Sequence, residues 1–309
     1  MAPDDDLVLQ TVALDRVWAT VDPFLFCVHH TDDFPEGDEE FGPCVPLTGR
    51  NLGMDFSGRD GWSMYHGMDK PGFPQHPHRG FETVTFMRRG FLDHADSLGA
   101  AARFGRGDVQ WMTAGSGIVH SEMFPLLNRD DRNDTELFQI WMNLPASDKM
   151  VPPHFTMLWD HEIPKHTFLD AAGRPTQVTV VAGSLVAGQH APAPPPHSWA
   201  SRRDTDVGIY HAVLSAQGAW TLDRAAHPDT IRTIYVFAGG SVRIGGQEIA
   251  GGHAAVVRSE VPVTVTDTGE GAEILVLQGR PIGEPVVQHG PFVMNTRTEI
   301  QKAFLTARS

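Results

Sequence analysis

Short runs of alternating apolar and polar residues recur along most of the chain. The run Phe81–Arg88 has the period of two that is typical of a β-strand with one face in a core. Similar runs, separated by turns that contain glycine or proline, continue through both halves, while helical periodicity is scarce. The pattern predicts an all-β protein built from sandwiches or barrels. The two faces of the run would carry Glu82, Val84 and Phe86 on one side and Thr83, Thr85 and Met87 on the other.

The chain length predicts two β domains, because 309 residues are more than most single hydrophobic cores hold. Pro145 and the pair Pro152-Pro153 interrupt the strand pattern, so we place the domain boundary near them. The predicted domains are residues 1–147 and residues 148–284.

An internal duplication is indicated by two similar runs, Thr85–Gly90 in the first half and Tyr235–Gly240 in the second. The remaining residues, 285–309, form a separate C-terminal segment. Within it, Thr296 and Glu299 have the spacing of a capping box, which predicts a short amphipathic helix that ends near Ala307. So short a helix is marginal alone, and we expect it to dock on the N-terminal barrel.

Charge and cysteine content narrow the classes of function. The formal net charge is −14, and a chain this acidic is repelled by phosphate backbones, so we expect no direct nucleic-acid binding. Only Cys27 and Cys44 are present, which excludes a disulfide framework and favours two structural thiols over a redox pair. No signal peptide and no membrane-spanning apolar run are visible. We therefore expect a cytoplasmic protein without membrane contact.

Two pairs of potential metal ligands stand at a spacing of two residues. His76 and His78 flank Pro77, which favours an extended backbone, so both imidazoles would point to one side. His120 and Glu122 have the same spacing in another predicted strand. Two facing pairs would offer three nitrogens and one oxygen to a divalent transition metal, with positions left open for water, substrate or dioxygen.

Most histidines must have ordinary roles, since the chain has 16 of them. A lone His-x-His is more often a surface or turn feature than a metal site, whereas two such pairs in a β-rich context favour the metal. Glu82 is a further candidate, as a ligand, as a hydrogen-bond acceptor behind a ligand, or as a solvent-facing residue. The second half has no comparable pair before its corresponding strand, so we expect its barrel to lack a metal site.

The histidine motifs and a C-terminal motif resemble the pirin family of the cupin superfamily. The resemblance implies two jelly-roll barrels in one chain, one metal site in the N-terminal barrel, and a C-terminal segment that returns to that barrel. It implies His76, His78, His120 and Glu122 as metal ligands and non-haem iron, as Fe(II), as the usual metal; imidazole ligands would also suit Cu, Ni, Mn or Zn. The motifs are His76–Thr85, Gly107–Gly115, Ile118–Met123 and Gly290–Thr296.

Members of this family are described as quercetin 2,3-dioxygenases and, in eukaryotes, as iron-dependent nuclear transcription cofactors. The first description implies a small aromatic substrate and O₂, with Glu122 as the general base that takes a substrate hydroxyl proton. We expect the pocket wall to include Phe86, Trp111, Met112 and Phe138 and the protein to be a monomer. The segment Val151–Phe155 departs from the family pattern, which leaves the substrate open.

Two other functions remain open from the sequence. One is a non-catalytic redox sensor or transcriptional co-regulator, in which the oxidation state of iron would change the surface offered to a protein partner. The other is a structural zinc site, which is disfavoured because such sites usually hold thiolates in a closed tetrahedron.

Overall fold

A computed structural model of the protein describes residues 6–306. Within that range the chain is almost entirely β-structure, with one α-helix near its end, which confirms the predicted fold class. No helix in this range has the length and apolarity needed to cross a membrane. In chain order the strands are β1 (Val8–Ala13), β2 (Phe24–Phe34), β3 (Gly72–His78), β4 (Phe81–Arg89), β5 (Phe91–Asp96), β6 (Ala101–Gly105), β7 (Val109–Thr113), β8 (Ile118–Met123), β9 (Asn133–Asn143), β10 (His154–Leu158), β11 (Lys165–Leu169), β12 (Pro175–Ala182), β13 (Gly208–Leu214), β14 (Ala219–Leu222), β15 (Ile231–Gly239), β16 (Val242–Ile244), β17 (Gln247–Ile249), β18 (His253–Val257), β19 (Val263–Asp267), β20 (Ala272–Gly279), β21 (Val287–His289) and β22 (Phe292–Met294), followed by helix α1 (Arg297–Thr306).

The chain divides into two compact units whose bounds differ from the predicted domains. One unit, here the first barrel, contains Val28–Asp160 and the segment from Glu284 onward. The other, the second barrel, contains the chain up to Cys27 and His161–Gly283. The difference arises because β1 pairs antiparallel with β18, and because β10 pairs with β7. A strand pattern predicts a strand but not its partner, so this exchange of edge strands was not visible in the sequence.

The first barrel consists of two main sheets that enclose an aromatic core. The five-stranded sheet has the order β10-β7-β4-β9-β2, and the four-stranded sheet has the order β3-β8-β5-β6. Both contribute to one buried cluster, whose members include Phe34 and Met87 from the larger sheet and Leu92 and Phe104 from the smaller one. Burial of each such side chain stabilises the fold by about 1.5–3 kcal/mol.

The second barrel repeats this strand order. Its strands β18-β15-β20 correspond to β7-β4-β9, and β14-β19-β16-β17 corresponds to β3-β8-β5-β6. The internal similarity of the two halves therefore extends to their topology. Where β3 and β8 of the first barrel carry histidines, the paired strands β14 and β19 carry buried apolar side chains: Trp220, Leu222, Val263 and Val265.

The C-terminal segment forms the hairpin β21–β22 and helix α1. The helix begins with the expected capping box, since Thr296 N donates to Glu299 Oε2 at 2.8 Å and Glu299 N donates to Thr296 Oγ1 at 3.2 Å. Ile300 and Ala303 on the helix pack against Phe292 of β22. Ala307, where we expected the helix to end, lies outside the described residues.

A buried ion pair in the loop between β2 and β3 predicts acid sensitivity of the first barrel. Arg50 Nη1 donates to Asp55 Oδ2 at 2.9 Å, and the Arg50 guanidinium lies 3.3 Å from the centre of the Trp62 ring. Burial alone would raise the pKa of Asp55, but hydrogen bonds from Ser57, Arg50 and Met64 outweigh it and lower the pKa to about 2.

Because the folded pKa of Asp55 lies below its ordinary value, the pair stabilises the fold above about pH 4, and this contribution is lost as the pH falls towards 2. We expect Asp55→Asn to be less stable than the wild type at pH 7 and to lose less stability on acidification. Urea unfolding at several pH values between 7 and 2.5 measures both effects. An unchanged difference in unfolding free energy across this range would contradict the prediction.

Candidate metal centre

The pairing of β3 with β8 brings three of the predicted ligands together. The register places His76 directly opposite His120, and the period of two turns His78 to the same side. The ring centroids of these histidines lie 4.4 Å (His76–His120), 4.7 Å (His76–His78) and 4.9 Å (His78–His120) apart. One ring nitrogen from each lies within 4.8 Å of the others, which groups the three imidazoles as potential ligands of one metal ion.

The hydrogen bonds of His76 and His78 leave Nε2 of each ring available to a metal ion. His76 Nδ1 lies 2.8 Å from Pro74 O and His78 Nδ1 lies 3.4 Å from Pro291 O. A carbonyl oxygen only accepts, so each Nδ1 is the donor and each neutral ring keeps its lone pair on Nε2. Both ring nitrogens of His120 are buried without a hydrogen-bond partner. A buried imidazole left in this state costs free energy unless a ligand occupies the space in front of it.

Burial also keeps the inner imidazoles neutral. It lowers the pKa of His78 to about 3, with a further contribution from the nearby His76. Burial likewise lowers the pKa of His120, and the neighbouring His78, His76 and His94 add to the effect. Neutral imidazole is the form that binds metal, so protons compete little for His78 and His120 near pH 7.

Glu122, the fourth predicted ligand, is buried beside His120 with one of its carboxylate oxygens already engaged. Gln110 Nε2 donates to Glu122 Oε1 at 3.0 Å. Thr85 Oγ1 lies 3.2 Å from the same oxygen and 2.7 Å from Gln139 Oε1, and its single hydrogen serves one of these two acceptors. Among the described residues, a carboxylate oxygen of Glu122, a ring nitrogen of His120 and a ring nitrogen of His94 lie within 4.8 Å of one another. His76 and His78 do not belong to this group. The four predicted residues therefore fall into two overlapping groups that share His120.

His94 is the neighbour that the sequence analysis missed. It stands directly opposite Glu122 in the pairing of β5 with β8. Its ring stacks on Phe155, with centroids 4.5 Å apart, and its Nε2 lies 3.0 Å from Asp96 Oδ2. The signal was present, because His94 and Asp96 form a third pair of metal- or proton-binding residues at a spacing of two.

The face of β4 that looks towards Glu122 is the opposite one from the face that we expected to form a pocket wall. Thr85 contacts Glu122, and directly paired residues share a face, so this face carries Thr83, Thr85, Gln110, Met112, Gln139 and Trp141. Of the four predicted wall residues, only Met112 is among them. Phe86 pairs with Phe138, and Trp111 pairs with Val84, so these three predicted wall residues lie on the far face of the sheet. The face towards Glu122 carries hydroxyl and amide groups beside Met112 and Trp141, whereas we had expected only large apolar side chains there.

Glu82 also lies on the far face, where it is fully buried and Thr113 Oγ1 donates to its Oε1 at 2.6 Å. It belongs to neither histidine group.

The C-terminal segment lies against the strand that carries the first histidine pair. Val293 N donates to Arg79 O at 3.0 Å, and Arg79 N donates to Pro291 O at 3.3 Å. A Cβ atom at Gly80, which has φ of 83°, would come within 2.0 Å of Val293 O. Glycine at this position therefore allows both the backbone turn and the close approach of the two chains.

Comparison with known proteins finds relatives that match most of the chain. The Pirin family model matches residues 47–142, and the model of the pirin C-terminal cupin domain matches residues 209–308. A Pseudomonas aeruginosa protein named "Putative quercetin 2,3-dioxygenase" is 37% identical over 232 residues, which cover 75% of this chain and 76% of that protein. Pirin-1 of Arabidopsis thaliana is 35% identical over 248 residues, covering 75% of each chain.

A crystal structure of quercetin 2,3-dioxygenase from Acinetobacter baumannii has the same fold. It matches with a TM-score of 0.75 at 25% sequence identity, and the match covers 98% of this chain and 96% of that one.

Proposed function

The chain belongs to the pirin family, and from that premise we propose that it is a metal-dependent dioxygenase that acts on quercetin or a related flavonol. One observation carries the proposal. Three imidazoles, two of them buried, converge beside a carboxylate, and His120 lacks any partner for either nitrogen. A site built for structure alone would satisfy these atoms.

We assign His76, His78, His120 and Glu122 as the residues that would hold the metal. The donor set of three nitrogens and one oxygen suits Fe(II) and also Ni, Cu, Mn or Zn. When bound, such a metal supplies Lewis acidity towards a substrate oxygen and, if it is redox-active, electron transfer to dioxygen.

Glu122 is the proposed general base. Gln110 holds its Oε1, so the carboxylate is oriented, and Oε2 is the atom that would hold the metal and, when released from it, receive a proton from a substrate hydroxyl. Proton transfer makes the substrate oxygen an anion, which is the form that a cationic centre binds best.

The side chains on the face towards Glu122 favour an aromatic substrate that carries hydroxyl groups. The Trp141 ring lies 5.5 Å from the His78 ring, and Phe155 borders the opposite side through its stack on His94. Between these rings, Thr83 Oγ1 and Gln110 Oε1 are buried without hydrogen-bond partners. A polyhydroxylated aromatic molecule would cover the rings and pair these oxygens.

The test is oxygen uptake with quercetin after anaerobic loading with Fe(II), and separately with the other metals. We expect uptake above the free-metal blank for the wild type and at least about a hundredfold loss in Glu122→Gln, the lower end of the 10²–10⁴-fold range typical of a general base. Metal content should fall less than turnover, because the three imidazoles remain.

Glu82→Gln is the matched control, since it changes a buried carboxylate on the other face of the same sheet and should leave turnover unchanged. Absence of uptake by the wild type with every metal would reject the dioxygenase and leave the iron-dependent sensor as the function to test.

A further inference from the structure

The first strand of the C-terminal hairpin, β21, has one edge without a partner strand. Among the described residues β21 pairs with β22, and β22 pairs on its other side with Arg79. Within residues 6–306, no backbone hydrogen bond from outside the hairpin reaches the backbone of β21. Such an edge offers its N–H and C=O groups to a further strand.

The register of the hairpin shows which backbone groups face this edge. Gln288 stands opposite Val293. Val293 N donates to Arg79 O at 3.0 Å, and Val293 O accepts from Lys149 Nζ at 3.2 Å, so both groups of Val293 point away from β21. Opposite residues of an antiparallel pair either exchange both backbone hydrogen bonds or both turn outward. The N–H and C=O of Gln288 therefore point towards the free edge.

A groove of about 510 Å³ follows this edge and has helix α1 as its other wall. All three residues of β21 line it, and successive side chains of a strand point to opposite faces, so the groove follows the edge of the strand instead of one face. Val287 of the strand and Ile300 and Phe304 of the helix give it an apolar floor. Next to these lining residues, Val286 is 42% exposed and Leu305 is 74% exposed, which extends the apolar surface beyond the groove.

The charge of the groove is opposite in sign to that of the whole chain. Arg297 lines the groove and is exposed, and within the described part of the chain no carboxylate forms an ion pair with it. Helix α1 has one carboxylate, Glu299, which is engaged in the capping box. A second copy of the chain would bring another Arg297 to the same groove. Since charges at the rim of an interface select partners of opposite sign, the groove favours an acidic partner over self-association.

We propose that this edge binds an acidic, extended segment of another protein as an added strand. The segment exchanges backbone hydrogen bonds with Gln288, covers Val287, Ile300 and Phe304 with apolar side chains, and places a carboxylate beside Arg297. None of these residues is a proposed metal ligand, so the interaction does not depend on the dioxygenase activity.

The probe is the acetylated and amidated peptide Asp-Val-Asp-Val-Glu-Val-Asp, in which carboxylates and apolar side chains alternate. Its affinity for the full chain is measured by isothermal titration calorimetry, beside a control peptide with lysine at every acidic position. We expect the acidic peptide to bind at least about tenfold more tightly than the lysine peptide, with an affinity that falls as salt is added.

Two pairs of variants test the protein side. Gln288→Pro removes an N–H that makes no bond within the hairpin, and proline is tolerated on edge strands, so the hairpin should remain. We expect about tenfold weaker binding, the value of one good hydrogen bond, whereas Gln288→Ala keeps the N–H and should bind as the wild type does. Arg297→Glu should weaken binding about fivefold, and Lys302→Glu, on the same helix but outside the groove, by less than about twofold.

The backbone pairing is tested on the peptide itself. A strand bonded along one edge uses every second N–H group, so N-methylation of one alternate set should abolish binding and methylation of the other set should leave it nearly unchanged. This comparison leaves the protein intact and decides the matter even where Gln288→Pro disturbs the hairpin. In the wild type, the Gln288 amide should exchange its hydrogen more slowly when the acidic peptide is bound.

Four results would overturn the proposal. They are no binding of the acidic peptide, equal binding of the acidic and lysine peptides, equal loss with both methylated sets, and no effect of Arg297→Glu. A wild type that sediments as a dimer, with Gln288→Pro as a monomer, would assign the edge to a second copy of the chain and overturn the proposal as well.

Discussion

Replacement of His120 by alanine is expected to abolish stoichiometric metal binding. His120 is the one residue shared by both groups of potential ligands, and neither of its buried nitrogens has a protein partner. Residues that only support a metal ligand already change affinity by about 10–100-fold, so loss of this ligand should cost more than 100-fold. His78→Ala should have a similar effect, because His78 is also buried and neutral.

Metal analysis should be made on protein purified without a nickel column and reconstituted anaerobically with Fe(II). We expect one equivalent in the wild type and less than about a tenth in His120→Ala, as the loss of affinity requires. His66→Ala is a matched control, since His66 lies in the same barrel but is exposed and hydrogen-bonds to Gly53 O. A full equivalent retained by the double variant His76→Ala, His120→Ala would disprove the assignment.

Thermal melting distinguishes loss of a ligand from loss of the fold. A metal that binds only the folded state raises its stability by mass action. Metal should therefore raise the melting temperature of the wild type and leave that of His120→Ala unchanged. Without metal the two proteins should melt at similar temperatures, because removal of a buried unpartnered imidazole partly offsets the cavity that alanine leaves.

Replacement of Lys149 by methionine is expected to cause the largest loss of stability. Lys149 is 1% exposed, and its Nζ donates to Gly80 O at 2.8 Å, Asn143 Oδ1 at 2.7 Å and Val293 O at 3.2 Å. Methionine fills a similar volume but leaves these three acceptors without that donor. At 1–3 kcal/mol for each buried unsatisfied group, we expect a loss of about 3 kcal/mol or more in the free energy of unfolding.

The effect should also reach the metal site. Lys149 joins Gly80, two residues after His78, to Val293 in the C-terminal segment, and Pro291 of that segment accepts from His78 Nδ1. Lys149→Met should therefore weaken metal binding as well as lower stability. Lys302→Met is the control, since Lys302 is exposed on helix α1.

Chemical denaturation and metal titration of both variants provide the measurement. A change of less than about 0.5 kcal/mol in Lys149→Met, the range of ordinary surface substitutions, would show that the lysine does not hold the segment.

Truncation after Val287 also tests whether the C-terminal segment stabilises the first barrel. It removes most of β21, all of β22 and helix α1, together with the 2.7 Å hydrogen bond from Arg79 Nη1 to Thr306 Oγ1. We expect lower stability of the first barrel, and unchanged melting would argue against docking of this segment.

The ligand motif was predictable because it depends on local geometry. In a strand, residues two apart share a face whatever the rest of the chain does, so His76 and His78, and likewise His120 and Glu122, could be paired from spacing alone. The same rule applies to His94 and Asp96, and that pair was missed because no family motif pointed to it. The all-β class and the capping box at Thr296 follow from equally local signals.

Which face of β4 looks into the pocket was decided only by the tertiary structure. Alternation divides the strand into two faces but does not say which one meets the histidines, and here the threonine face does. The partners of β1 and β10, the burial of Lys149 and the contact of Pro291 with His78 are likewise contacts between residues far apart in sequence. Such contacts are selected by the total free energy of packing and hydrogen bonding, which no local pattern contains.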